Sequence, residues 1–101
     1  MKPVTYNIEA QAEADAASAF YFARNPATAA KFLDELAFVI EEIRYGPQRW
    51  PFETGTQIQR LRLRRFPFTV FFRNDLHEIY ILAIAHTSRR PGYWRSRIAV
   101  A

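Results

Sequence analysis

The chain has 101 residues, half of them hydrophobic and 16% aromatic, with a formal net charge of +4. That length admits one compact domain, 1–101, with apolar material enough for a core. The absence of Cys excludes disulfides and thiolate metal sites, and no run approaches the roughly 18 apolar residues of a membrane span.

The opening Met1–Tyr6 lacks the apolar block of a secretory signal, so a cytoplasmic location is expected. Charge is placed unevenly. Residues 1–45 carry four basic and seven acidic side chains; residues 46–101 carry ten basic and three acidic, and all ten are Arg. Arg offers a planar donor fork suited to phosphate or carboxylate and stays charged when partly desolvated. The polarity points to an anionic partner, either nucleic acid or an acidic protein segment; a solubilising Arg-rich face is the plainer reading.

Val4–Ile8 reads as a short first strand. From Glu9 the pattern turns helical, with Ala12, Ala16, Ala19, Phe20 and Ala23 on one face. Asn25-Pro26 stops that helix near Arg24 and starts a second at once, because Asn caps well and Pro suits the first helical position. The second helix should run from Pro26 to about Tyr45 on an apolar stripe of Ala29, Phe32, Leu33, Leu36, Val39, Ile40 and Ile43, with Lys31 and Glu35 as an i, i+4 pair. Gly46-Pro47 ends it. A loop over 46–57 follows, with Trp50 and Phe52 expected to pin it onto the core.

Three strands come next. Ile58–Arg64 alternates, Leu61 and Leu63 on one face and Arg60, Arg62 and Arg64 on the other. Phe66-Pro67 is a turn, Phe68–Phe72 a strand, and Asn74–His77 a second turn. Ile79–Ala85 is an unbroken apolar run, the signature of a strand buried on both faces. Short connections imply an antiparallel meander. The expected class is α+β.

Three features could carry chemistry. The Arg60/Arg62/Arg64 row concentrates like charge on one strand face, which suits an anion or else a wet sheet surface. His86, directly after the buried strand, is either a general base or acid or a strand-end residue bonded to backbone. Arg89, Arg90, Arg95 and Arg97 with Tyr93 and Trp94 between them combine cations for phosphate with rings for stacking. The alternative is that the rings fold back onto the sheet while the Arg stay solvated. Neither a phosphate loop nor a nucleophile elbow is present. The two His have no ligand spacing, so no metal or cofactor is expected.

In order and spacing the chain resembles the RelE/ParE superfamily, the toxins of bacterial type II toxin–antitoxin modules, also called plasmid stabilisation proteins. The resemblance spans residues 4–97. It rests on Ala12-Glu13-Ala14-Asp15, the helical hairpin with Phe32-Leu33, the block Leu61–Phe68, and Leu82–His86 leading into Arg89-Arg90-Pro91-Gly92-Tyr93-Trp94. It implies a β-α-α-β-β-β fold, a helical hairpin on a twisted, mostly antiparallel sheet, and neutralisation by a cognate antitoxin. RelE-like members cleave messenger RNA on the ribosome; ParE-like members poison DNA gyrase. For the ribonuclease, Arg60 and Arg62 would hold phosphate, Tyr93 would assist and His86 would act as base. Two further Arg expected of that activity align with Thr69 and Thr87, which removes transition-state charge stabilisation. The resemblance therefore favours a ParE-like, non-enzymatic toxin that inhibits growth, with the ribonuclease and a non-toxic binding module as alternatives. Arg60, Arg62, Arg64, Arg89, Arg90, Tyr93, Trp94 and Arg95 are the expected contacts for target or antitoxin.

Overall fold

A computed structural model describes residues 1–100 and opens on a three-residue strand, β1 (Val4–Tyr6). Asn7 ends it. Its side-chain oxygen accepts from the N–H groups of Glu9 (2.8 Å) and Ala10 (3.3 Å), so helix α1 (Ile8–Arg24) starts one residue earlier than expected. Asn25 then serves two helices. Its N–H donates to the Tyr21 carbonyl and closes α1, while its side chain accepts from Ala27 N–H and opens α2 (Pro26–Tyr45).

The face assigned to α1 is corrected. Ala10, Ala14 and Ala17 are buried, with Tyr21 packed beside them, whereas Ala12, Ala16, Ala19, Phe20 and Ala23 face solvent. Alanine lies on both sides of this helix, so apolar periodicity alone does not choose between them. Anchoring decides: Asn7 N–H donates to the Ile81 carbonyl and sets the entry of the helix onto the sheet. The stripe on α2 is as expected, except that Leu33 at its margin stays exposed. Glu35 turns its carboxylate to the N–H groups of Arg64 and Arg65.

The sheet runs β1-β4-β3-β2, with β2 at Ile58–Arg62, β3 at Phe68–Asn74 and β4 at Ile79–His86. β1 lies parallel to β4; the other pairs are antiparallel. β2 ends two residues short of the expected Arg64. Phe71 pairs with Ala83 but Phe72 with Ile81, leaving Leu82 as an extra residue on β4.

Two cores result. The hairpin covers one sheet face, burying Phe32, Ile43, Val70, Phe72, Ile81 and Ile84. On the other face Ile58, Leu82 and Ala83 are capped by Trp94, whose ring lies 4.7 Å from that of Phe71. The final 3-10 segment Arg95–Val100 follows Trp94, and its Ile98 packs on the same cluster. Cover on both sides explains why β4 is apolar without alternation. In the 46–57 loop Trp50 packs on the main core, but Phe52 is exposed and contributes only a backbone bridge to Gln59. Among the described residues no helix is long and apolar enough to cross a membrane.

Candidate functional site

The C-terminal end of β4 delivers the chain into a tight turn. Thr87 N–H donates to the Pro67 carbonyl, and Arg89 N–H to that of His86. Pro91-Gly92 reverses direction, with Gly92 at φ +76°, a conformation that costs a side-chain-bearing residue strain. A cavity of about 240 Å³ opens here. Thr69 and Phe71 of β3 form one wall, Ala85 and His86 of β4 another, and Arg89, Arg90 and Tyr93 the rim.

One carboxylate organises the strand's edge. β1 stops pairing at Ile81, so the Leu82 carbonyl and Ile84 N–H lie beyond its cover. Glu13 of α1 accepts from Ile84 N–H (3.0 Å), and the Arg97 guanidinium donates to the Leu82 carbonyl (3.2 Å). The same guanidinium donates to both Glu13 oxygens (2.9 and 3.0 Å), and the Tyr93 hydroxyl donates to Glu13 at 2.6 Å. Burial pushes the Glu13 carboxyl up. The bonds from Arg97, Tyr93 and Ile84 N–H, with the Arg97 charge, outweigh this and hold it below the usual carboxylate range. Burial and the neighbouring Glu13 push the Tyr93 hydroxyl well above the ordinary phenol range, which keeps it a proton donor.

His86 is similarly committed. Its Nδ1 accepts from Ser88 N–H at 3.0 Å, with the Ser88 hydroxyl 2.8 Å away, and its ring stands edge-on to Phe68. A backbone N–H can only donate, so in the neutral ring the proton sits on Nε2. That nitrogen can give a proton or hold an anion, but has no lone pair free to act as base.

The expected contact residues are only partly gathered. Arg89 and Arg90 rim the cavity; Arg89 lies 3.9 Å from the Tyr93 ring and 3.9 Å from Glu13. Register places Arg60 opposite Phe71 and Arg62 opposite Thr69, on the cavity's face of the sheet. Arg60 is paired with Glu53 at 2.5 Å, while Arg62 is exposed. Arg64 lies past the strand's end and lines a groove against α2. Arg95 is exposed and sits over the Trp94 ring. Trp94 itself, read from sequence as a contact residue, is 1% exposed and packs the second core. With Tyr93 covered by Arg89 and Arg97, neither ring is open for base stacking. What remains at the cavity is a cationic rim of Arg89 and Arg90 beside the His86 Nε2–H, while Arg62 lines the groove against α2 together with Arg64.

Sequence reasoning missed the role of Glu13 and read Arg97 as a cation for phosphate; Arg97 is instead buried and paired with Glu13, and the pair fastens this end of the molecule. Glu13 had a signal. It lies three residues after Ala10 and four before Ala17, so it borders the buried face once that face is chosen correctly.

No curated protein matches the chain in sequence. Among solved structures, the chromosomal ParDE toxin–antitoxin system from P. aeruginosa superposes with a TM-score of 0.73 at 24% identity, over 85% of this chain and 96% of the other, which shows a shared fold. Residues 4–91 match the family described as the ParE toxin of the type II toxin–antitoxin system parDE. A match spanning β1 through the turn after β4 covers every element of the sheet and the hairpin on it, and the chain accordingly belongs to the ParE toxin family.

Proposed function

We propose that this chain inhibits growth by binding, not by catalysis, with DNA gyrase as its target, and that a cognate antitoxin neutralises it in the cytoplasm. Membership of the ParE toxin family supports the toxin role. One observation carries the preference for binding: the groups a ribonuclease would recruit are already engaged. The Tyr93 hydroxyl is spent on Glu13 and the His86 Nδ1 on Ser88 N–H. Thr69 and Thr87 supply hydroxyls to the cavity where cations would be needed to stabilise a pentacovalent phosphate. The exposed Arg89 and Arg90 of the rim, with Arg62 exposed at the end of the edge strand, then serve as the contact surface for target or antitoxin.

Induced expression, with plasmid supercoiling and transcript integrity followed in parallel, tests this. The expected result is growth arrest with loss of negative supercoiling and intact messages. Cleavage of ribosome-bound message would instead establish the RelE-like ribonuclease. Normal growth would leave a non-toxic binding module of the same fold.

A further inference from the structure

β2 is the edge strand, and its outer side is only partly covered. Arg60 N–H donates to the Pro51 carbonyl at 3.0 Å, but Pro51 has no N–H to return, so the added pairing stops there. Beyond Arg62 the chain turns and presents two successive backbone N–H groups, those of Arg64 and Arg65. Both donate to the Glu35 carboxylate, Arg65 at 3.1 and 3.2 Å to its two oxygens and Arg64 to Oε2. Successive N–H groups converging on one anion form a nest, an arrangement that elsewhere holds phosphates and carboxylates.

Here the chain fills the nest with its own side chain, and the surroundings are made for more than one carboxylate. Lys31, Arg64 and Arg65 are exposed around a cavity of about 340 Å³ whose lining also includes Asp34, so with Glu35 displaced three cations face one carboxylate. Phe38, 60% exposed on α2, walls both this cavity and an adjoining one reached by Trp50 and Leu61.

We propose that this nest is a docking site for an acidic segment of a protein partner, and that Glu35 is a placeholder which the partner's carboxylate replaces. The occupant is a peptide and not a nucleic acid because the anion already seated is a carboxylate. The wall beside it offers the exposed Phe38 ring, which suits an apolar side chain next to the carboxylate, not a phosphodiester backbone. The site is separate from the cavity at the end of β4, and it stands whether or not that cavity engages gyrase.

The test uses the full chain and a short fluorescein-labelled peptide alternating glutamate and leucine, followed by anisotropy. A single-stranded dT oligomer of equal charge is the control. Glu35→Ala empties the nest and should tighten peptide binding about tenfold, the equivalent of one charge-assisted hydrogen bond no longer competed for. Adding Arg64→Glu and Arg65→Glu should abolish the gain. No gain with Glu35→Ala, or an equal gain for the oligomer, overturns the proposal. Because Glu35→Ala could loosen the turn, the unaltered chain supplies a second readout. The Arg64 and Arg65 amide resonances should shift as the peptide is added, and amides that stay still overturn the proposal independently. Supercoiling in cells reports on the gyrase reading alone, so failure of one leaves the other in place.

Discussion

Glu13 shows how much one side chain can be asked to do. It caps the open edge of β4, orients the Tyr93 hydroxyl and holds a nearly buried guanidinium in place. Its carboxyl is depressed in the folded state, and that fixes the sign of its pH dependence. The stability it contributes is fully present above the unfolded value of about 4.3 and is lost as pH falls through the lower folded value. Urea unfolding midpoints followed from roughly pH 6 down to pH 3 should therefore fall more steeply for the natural chain than for Glu13→Gln. Parallel acid limbs would show that the carboxylate is not the source. Trp94 offers a cleaner packing test. Removing a buried indole against Phe71, Ile58 and Leu82 leaves a cavity, so Trp94→Ala should cost about 3–5 kcal/mol in equilibrium unfolding. A loss under about 1 kcal/mol would mean the C-terminal segment does not cover that face in solution.

Elements bounded by strong punctuation were legible in the sequence. Asn25-Pro26 and Gly46-Pro47 delimit α2, and the apolar run of β4 announces a strand covered twice. The joint at Asn25 can be measured. Its side chain supplies the cap of α2, so Asn25→Ala should destabilise by about 1 kcal/mol, whereas Asn25→Ser should keep most of the natural stability. Identical unfolding curves for all three would remove the cap from the account. Other features were not legible, for physical reasons. The rotation of α1 could not be read because alanine contributes so little area that its two faces carry nearly equal hydrophobic signal. The parallel pairing of β1 with β4 joins residues some seventy-five positions apart, and no local pattern encodes it. Tyr93 and Trp94 are neighbours in sequence with opposite fates, one at a rim and one in a core. Only the path of the turn at Gly92 separates them, so their shared aromatic character misled the reading of the site.

At the scale of the molecule the charge asymmetry becomes geometry. The acidic first half forms β1 and the hairpin on one side of the sheet, and the arginine-rich second half supplies the other three strands, the turns and the tail. Several of those arginines are neutralised internally. Arg60 meets Glu53, Arg73 meets Asp75 and Arg97 meets Glu13, so the formal count overstates what a partner encounters. Arg62 and Arg90 are exposed and lie on the proposed contact face, one on the edge strand and one on the cavity rim. Exposed charges steer approach more than they hold a finished complex, since solvent and salt screen them within about 10 Å. The paired reversal Arg62→Glu and Arg90→Glu should therefore slow association with an acidic cognate antitoxin by about tenfold at low salt, and flatten the dependence of that rate on ionic strength. Dissociation should change much less. Stopped-flow association at a series of salt concentrations separates the two. A reversal that leaves the association rate and its salt slope untouched would mean the antitoxin approaches another surface, and would shift attention to the exposed face of the helical hairpin.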